Sequence, residues 1–511
     1  MTDRPAATAG SALETPQGRR LGLTLFVAVA LTAIGQRVFL IASTDFPFND
    51  GGLFYAFIKA TAATFPALPD TVGFNGLTIP FAYPPLAFWL AAGLDRMGMD
   101  PLASLRVLPI LMNTAYVLLF ALVLRRSGRP LFFVGLALFF ACAMIRTFEW
   151  LIMGGGLSRG LGSVFLMMTL VAIRAPEGER RALPVGSLVA AGAAVAGAIL
   201  SHLEWGLDAA ACVILSRAVG SVGIRDFVRS ILVPGITALL LISPWIFYIL
   251  SVHGSAPFLA AGGSGAWDGR NLLSQFQILL GRSLDNPLVP LGGLLLLWQR
   301  KFFWPGFMLI CMIVTPRHGE TPTTLAAAVF AAEGALALFV WLRQRLTSAR
   351  LAAVTAALVV AVLALFPVSA AYLGRGKRLH PLTVEVRQAM AWVSRTHPGA
   401  SFAILNSYTW WYDSSAEWFP VLAQARSVNT VQGREWLPDR VYSDYYAKDV
   451  ALKQSRSCGE ILRHLKAYER PQFVWVEVRK DCFTSPDFRP VYRNAQVTIF
   501  EVPPVTAAHR S

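Results

Sequence analysis

Charged residues are scarce in this chain. Only 15% of its 511 residues are Asp, Glu, Lys or Arg, whereas 55% are hydrophobic, and the mean hydropathy is +0.52. A soluble domain needs about a quarter of its residues charged to cover its surface. The shortage therefore excludes a cytosolic enzyme and places much of the surface against lipid. Apolar runs long enough to cross a bilayer predict a polytopic α-helical membrane protein with about 11 transmembrane helices.

Cysteine is also scarce, and the motifs of several protein classes are missing. The five cysteines form no CxxC pair, and the sequence has no GxGxxG, Walker or HExxH motif. Nucleotide-driven transport and zinc chemistry therefore lack support, and the lack of an internal repeat argues against an alternating-access transporter. Cys458 and Cys482 lie in the polar tail, where they form either a disulfide or two free thiols.

The distribution of basic residues sets the topology. Arg19 and Arg20 precede an apolar run at 21–42, which is too long for a cleavable signal and indicates an anchor behind a cytoplasmic tail, residues 1–20. Further spans are predicted at 104–124, 130–147, 158–173, 184–202, 206–216, 230–252, 284–298, 302–315, 321–342 and 351–374. The inner loops are rich in Arg and the outer loops in Asp and Glu, as the positive-inside rule requires. The net charge of +15 therefore reflects membrane orientation and not nucleic-acid binding.

Two segments are not predicted to cross the membrane. The run at 84–98 is apolar but only about 14 residues long, so we assign it to an interfacial or re-entrant helix in a large first outer loop, residues 43–103. After the transmembrane domain, 21–375, residues 379–505 combine one helical pattern with short β-rich runs, which predicts an extracytoplasmic α/β domain. Its many Trp and Tyr residues indicate either core packing and membrane contact or a platform for sugar rings.

Ionisable residues gather in the outer loops, where an outward-facing membrane enzyme would hold its catalytic groups. Asp45 and Asp50 follow the first span in the segment TDFPFNDGG, which is either an ordinary turn or the position of a base for a substrate hydroxyl. Glu149 follows the third span as a second acidic candidate. Arg159 follows the glycine run 154–156, which either cradles a phosphate or permits close helix packing.

Two more clusters are predicted to face the same compartment. His202 and Glu204 lie at the turn after the fifth span, and Arg317 and His318 precede the tenth. A lone His at a helix end is more often structural, whereas an Arg at the membrane rim suits a lipid phosphate because it keeps its charge. Glu333, deep in the tenth span, is costly there without a partner, which the sequence does not identify.

Several of these segments resemble a known family. An acidic residue in the first outer loop, the YPPL element beginning at Tyr83 and the RVLP segment at 106–109 resemble the GT-C superfamily of membrane glycosyltransferases. The likeness is to its bacterial protein mannosyltransferase-like and aminoarabinose-transferase-like members. It implies a polyprenyl-phosphate sugar donor, a role for Asp50 as base or acceptor-positioning residue, and a supporting role for Glu149. Asn49 stands where protein mannosyltransferases have a second acidic residue, which argues against a protein acceptor.

The sequence therefore predicts a multi-pass inverting glycosyltransferase of the bacterial inner membrane. The expected catalytic residues are Asp50, Asp45 and Glu149, and either a divalent cation such as Mg²⁺ or Mn²⁺ or a pair of arginines offsets the negative charge. The residues expected to bind substrate are Arg159, Arg317, His318, His202, Glu204 and Tyr83. The expected partners are a polyprenyl-phosphate sugar donor, a glycan, lipid or protein acceptor, and membrane lipids. The alternatives are a membrane transporter or flippase, or a non-catalytic subunit of polysaccharide export.

Overall fold

Helices make up most of the fold. The structure is a computed structural model that describes residues 15–144, 148–174, 176, 179–262, 269–316, 319–346, 348–351, 353–358, 360–361, 379–437, 441–469, 471–478, 480–484 and 488–502. The helices before residue 346 are α1 (Pro16–Ala42), α2 (Gly52–Thr64), α3 (Leu86–Arg96), α4 (Pro101–Arg126), α5 (Leu131–Ala143), α6 (Glu149–Ile152), α7 (Gly156–Ile173), α8 (Val185–Ser201), α9 (Leu203–Gly220), α10 (Ile224–His253), α11 (Ala256–Gly262), α12 (Gly269–Asp285), α13 (Leu288–Trp298), α14 (Phe303–Val314) and α15 (Glu320–Arg345).

Among the described residues, five helices are long and apolar enough to cross a membrane, namely α1, α4, α7, α10 and most of α15. The apolar helices α5, α8, α13 and α14 are shorter, at 11 to 17 residues. The run predicted to be interfacial forms α3, whose 11 residues are too few to span a bilayer. The predicted span 351–374 lies largely outside the described residues. The chain is thus a multi-pass membrane protein, and the count of about eleven spans stays a prediction.

The connection between α1 and α4, residues 43–100, is folded and is called the first loop below. It contains α2, the antiparallel strands β1 (Thr71–Phe74) and β2 (Leu77–Pro80), and α3. Asn75 and Gly76 join the two strands with φ values of 54° and 72°, the left-handed geometry that a tight hairpin requires. At its end, Asp100 accepts a hydrogen bond from Leu102 N–H at 2.9 Å and so caps the start of α4.

Residues 379–502, called the C-terminal region below, form a mixed sheet with flanking helices. Its elements are α16 (Val384–Thr396), β3 (Ser401–Leu405), α17 (Ser414–Leu422), β4 (Arg426–Ser427), α18 (Val441–Lys453), α19 (Cys458–Leu465), β5 (Phe473–Val476), β6 (Arg489–Arg493) and β7 (Thr498–Glu501). The strand order is β4-β3-β5-β7-β6, with β4, β3 and β5 parallel and β7 antiparallel to both of its neighbours. Cys458 and Cys482 form a disulfide, which resolves the alternative that the sequence leaves open.

The first loop and the C-terminal region share one hydrophobic core. Phe57, Phe81 and Phe88 of the loop are fully buried in the same cluster as Trp418 and Trp475 of the C-terminal region. Because burying aromatic side chains is strongly favourable, the two parts pack as one unit on top of the helices. Within this unit, the segment around residue 50 contacts both the helical bundle and the C-terminal region.

Glu333 has a partner within the bundle. Its Oε1 lies 2.6 Å from Arg129 Nη1, and the two side chains are 10% and 12% exposed. Arg129 also stacks over the ring of Phe133. Glu333 therefore forms a structural ion pair with the loop between α4 and α5, and Arg129 is the partner that the sequence does not identify.

Candidate active site

Asp50 is held by two groups from the start of α7. Its Oδ1 accepts a hydrogen bond from Gly155 N–H at 2.8 Å, and its Oδ2 lies 3.4 Å from Arg159 Nη2. The two side chains are only 17% and 14% exposed. Arg159 also lies over the ring of Trp150, 5.3 Å from its centroid. The site is therefore a mostly buried carboxylate beside a guanidinium that keeps unused donors.

The glycine run 154–156 is required by the close approach of the first loop. A Cβ atom on Gly154 would lie 2.2 Å from the carbonyl oxygen of Asp50, and one on Gly155 would lie 2.3 Å from its Oδ2. The three backbone amides donate to Phe48 C=O, Asp50 Oδ1 and Met153 C=O. These glycines thus pack against the loop, and of the two functions the sequence leaves open, close packing is the one the contacts favour.

The C-terminal region contributes the other side of the site. Glu417 Oε1 accepts hydrogen bonds from Gly51 N–H at 3.0 Å and from Leu53 N–H at 3.4 Å. Trp418 Nε1–H donates to the carbonyl of Asn49 at 2.9 Å. The peptide groups on either side of Asp50 are therefore bound to a helix more than 360 residues away in the chain.

His380 fixes the residue before Asp50. Its backbone N–H donates to Asn49 Oδ1 at 3.1 Å, and Asn49 N–H donates to the His380 carbonyl at 3.0 Å. Asn49 has a φ of 50°, a left-handed conformation that Asn adopts more readily than most residues. This turn directs the following carboxylate toward α7.

Several polar and aromatic side chains lie in the neighbourhood of Arg159. The hydroxyl of Tyr83 lies 3.2 Å from that of Ser158, and its ring centroid is 5.2 Å from that of Trp436 and 6.3 Å from that of His202. Burial raises the pKa of Tyr83, while the charges of Arg159 and Glu204 act on it in opposite directions. The predicted residues Tyr83, His202, Glu204 and Arg159 thus belong to one neighbourhood.

The electrostatics of Asp50 are set by burial. Loss of water raises the pKa of its carboxyl, and the neighbouring Arg159 and the Gly155 amide only partly lower it again. Glu417 has its pKa raised well above the ordinary range by burial, and next by the negative charge of Asp50. A carboxyl with a raised pKa is a better proton acceptor near neutral pH.

The other two predicted acidic residues, Asp45 and Glu149, lie in different surroundings from Asp50. Asp45 is 69% exposed, pairs with Arg387 at 2.7 Å, and lines a separate cleft of about 380 Å³. Glu149 is buried at the start of the short helix α6, and its neighbour Trp150 is the residue stacked on Arg159. Arg317 and His318 lie outside the described residues, so their predicted role in binding stays a prediction.

The residues expected to hold a divalent cation do not form a ligand set. Among the described residues, the single group of three His, Cys, Asp or Glu ligand atoms within 4.8 Å of one another is Cys458, Asp481 and Cys482. Two of these atoms are joined in the disulfide. Asp45, Asp50 and Glu149 therefore do not form a three-residue metal site. The guanidinium of Arg159 offsets the negative charge of Asp50.

Glu417 is the site residue that the sequence analysis does not identify. It lies in an aromatic segment interpreted as packing or a sugar platform, and nothing local marks it as different from a surface glutamate. The burial of its neighbours Trp418 and Phe419 does not predict its own burial, because consecutive residues of a helix point in different directions.

The chain has a helical membrane bundle, a folded first loop and a small mixed-sheet unit. It shares this fold with solved GT-C glycosyltransferases. No family model and no curated protein sequence matches the chain. The predicted resemblance is therefore confirmed by structure, at the level of the fold.

Three solved proteins carry this likeness. The archaeal oligosaccharyltransferase AglB from Archaeoglobus fulgidus, solved with an inhibitory peptide and a dolichol-phosphate, superimposes with a TM-score of 0.58 at 13% identity, over 91% of this chain and 70% of its own. ArnT from Cupriavidus metallidurans, bound to undecaprenyl phosphate, gives 0.53 at 13% identity over 94% and 97%. The mycobacterial arabinofuranosyltransferase AftD gives 0.51 at 13% identity over 95% and 40%.

Proposed function

We propose that the chain is an inverting glycosyltransferase that moves a sugar from a polyprenyl-phosphate donor to an extracytoplasmic acceptor, which is a glycan, a lipid or a protein. The observation that carries this proposal is the buried Asp50 carboxylate 3.4 Å from the Arg159 guanidinium. One group can accept a proton and the other can bind a phosphate, which are the two tasks of this reaction. Two of the proteins with the same fold bind lipid phosphates of this kind.

The proposed reaction is a single displacement. Asp50 takes the proton of an acceptor hydroxyl while the hydroxyl oxygen bonds to C1 of the donor sugar. The bond between C1 and the lipid phosphate breaks, and its electron pair leaves with the phosphate. Arg159 stabilises the charge that accumulates on that phosphate, which is worth most in a site with little water. No nucleotide sugar is required, because the lipid phosphate is itself the leaving group.

The distance between the two side chains connects donor binding to the strength of the base. At 3.4 Å, Arg159 is near the limit of a hydrogen bond to Asp50 and has further donors to offer. The guanidinium charge lowers the pKa of Asp50 against the effect of burial. A phosphate that draws Arg159 toward itself therefore leaves Asp50 a stronger base.

Of the two ways to offset negative charge that the sequence leaves open, a divalent cation or arginine, the proposed scheme uses arginine. One Archaeoglobus fulgidus oligosaccharyltransferase of the same fold has been solved with zinc and sulfate, but Asp45, Asp50 and Glu149 of this chain do not form a ligand set. Arg159 supplies the positive charge that such an ion would bring to the site.

The extracytoplasmic side is the proposed location of the site, in a bacterial inner membrane. The disulfide Cys458–Cys482 supports this location, because structural disulfides persist in oxidising compartments. The Arg-rich loops are predicted to lie at the cytoplasmic ends of the spans, which agrees with this location. Tyr83, His202 and Glu204 are proposed to contact the substrates near Arg159.

The proposal is tested with purified protein in detergent and a panel of undecaprenyl phosphates that carry single hexoses or pentoses. An extract of bacterial envelope lipids and glycans serves as the acceptor mixture, and release of undecaprenyl phosphate is followed by mass spectrometry. We expect one donor to be consumed and the product to have the inverted anomeric configuration. If the wild type consumes no donor faster than the Asp50→Asn variant does, the chain behaves as a non-catalytic subunit and the proposal is wrong.

A further inference from the structure

Asp50 has a neighbour that the proposed reaction does not use. Glu417 is 4% exposed and belongs to α17 of the C-terminal region. One of its oxygens accepts hydrogen bonds from the first loop and the other accepts one from the C-terminal region itself. Oε1 binds the amides of Gly51 and Leu53, and Oε2 accepts from Gln432 Nε2 at 3.2 Å. Burying a carboxyl group is costly unless its oxygens accept hydrogen bonds, and these three hydrogen bonds reduce that cost.

The hydrogen bonds from Glu417 act on the peptide groups that follow Asp50. These amides belong to the first turn of α2, where N–H groups have no partner within the helix. The Gly51 N-cap position supplies no side chain, and Glu417 takes over the capping role from another part of the chain.

The start of α2 packs closely against α17. Gly51 has a φ of 136°, which side chains rarely permit, and a Cβ atom on Gly52 would lie 2.3 Å from the carbonyl oxygen of Glu417. Trp418 holds the carbonyl of Asn49 at the same time. Asp50 is thus fixed through the peptide groups on both sides of it by two consecutive residues of α17.

We propose that Glu417 is a positioning residue that sets the direction of the Asp50 carboxylate, so that the site is complete only when the C-terminal region is docked on the first loop. This inference rests on the proposed function for its kinetic consequence. Its structural consequence, an ordered segment at residues 49–53, stands independently of any activity. Burial, and then the charge of Asp50, raise the pKa of Glu417, so the two carboxyl groups interact.

Two substitutions of Glu417 test the proposal in graded steps. Glu417→Gln keeps one oxygen for the Gly51 and Leu53 amides but turns a donor toward Gln432, whereas Glu417→Ala removes the acceptor altogether. Misplacing a reacting group by about 1 Å costs about a hundredfold in rate. We therefore expect kcat to fall about tenfold for Gln and about a hundredfold for Ala, with the KM for the donor unchanged, because Glu417 does not touch the substrate.

The matched control is another contact between the same two parts. Asn75 in the hairpin exchanges two hydrogen bonds with the backbone of Ser427, at 2.8 and 2.7 Å, far along the loop from Asp50. Asn75→Gly removes these bonds and tolerates the local φ of 54°. It is expected to leave kcat unchanged, so that a general loosening of the interface is distinguished from misplacement of Asp50.

Hydrogen–deuterium exchange of the peptide covering residues 49–53, measured on the full chain in detergent, gives a readout besides activity. Exchange should be faster in Glu417→Gln, fastest in Glu417→Ala, and as in the wild type in Asn75→Gly. Wild-type exchange in both Glu417 variants, or wild-type kcat in the Ala variant, would overturn the inference. If exchange follows the expected order while even the wild type transfers no sugar, the proposed function fails and the positioning contact stands.

Discussion

Asp50→Asn is expected to abolish nearly all sugar transfer while leaving the fold intact. Asn can keep the acceptor oxygen that faces Gly155 N–H, but its amide then turns a donor toward Arg159, where the carboxylate offered an acceptor. The variant has no group that can take a proton from an acceptor hydroxyl. Loss of a general base costs about a hundredfold to ten-thousandfold in rate, or about 2.7 to 5.4 kcal/mol in the activation barrier.

Stability is expected to change little, because the gain from burying an uncharged Asn opposes the loss of the ion-pair partner of Arg159. Burial raises the pKa of Asp50 more than Arg159 and the Gly155 amide lower it, so the charged form is the costly one at this position. A carboxyl whose pKa is raised on folding stabilises the protein only below its ordinary pKa, and this contribution is lost as the pH rises through the raised value. At neutral pH the uncharged Asn avoids that loss. A thermal midpoint that is preserved, beside a large loss of kcat, would separate catalysis from folding.

The assay is kcat as a function of pH, measured by release of undecaprenyl phosphate from the donor. In the wild type, kcat should fall as the pH drops through the raised pKa of Asp50, because a protonated carboxyl cannot act as a base. The limb should lie above the ordinary carboxyl pKa of about 4. Asp45→Asn is the comparison within the same loop, since Asp45 is exposed and a hydrogen bond from Arg387 lowers its pKa. It should leave the limb in place. Substantial turnover with an unchanged acid limb in Asp50→Asn would refute the assignment and return the role to Asp45 or Glu149.

Arg159→Lys should lose turnover more than donor affinity, because a single ammonium cannot reproduce a planar group that grips two phosphate oxygens; donor binding and kcat measured separately decide this. Replacing both Cys458 and Cys482 by Ser should cost about 3 kcal/mol of stability for a loop of 24 residues, seen as a lower midpoint in denaturant. Glu333→Gln should lower the unfolding free energy by about 3 to 5 kcal/mol by leaving Arg129 buried without its partner. The same variant should keep the kcat of the folded fraction, whereas a transporter that used Glu333 would lose its activity.

The sequence was sufficient for the features that depend on local patterns. Apolar runs identify α1, α4, α7, α10 and α15, because a membrane imposes a fixed length on each helix. The first loop and the glycine run indicate Asp50 and Arg159 separately, one by its position after a span and the other by its charge at the start of a helix. What the patterns miss inside the first loop is α2, since the Asp-Gly-Gly segment that starts this helix is also an ordinary turn signal.

Pairings between distant residues could not be predicted from the sequence. Asp50 and Arg159 are 109 positions apart, Arg129 and Glu333 are further apart still, and Gly51 and Glu417 are separated by 366. No periodicity specifies which of many charged residues meet after folding. Glu417 shows this most clearly, because its neighbours in sequence are aromatic residues of a core, and only the packed structure brings its carboxylate to the first loop.

The span between Gly51 and Glu417 also sets the order in which the protein can mature. The ribosome makes the first loop early and α17 only after the whole helical bundle has been synthesised. Until then the chain lacks the Glu417 and Trp418 side chains that bind the amides of Gly51 and Leu53 and the carbonyl of Asn49. Contacts between residues so far apart in sequence form late, because the chain must lose the entropy of closing a long loop before the contact can stabilise it. In the nascent chain the turn at Asp50 therefore stays incomplete during membrane insertion. It is completed only after α17 has been synthesised and packs on the first loop.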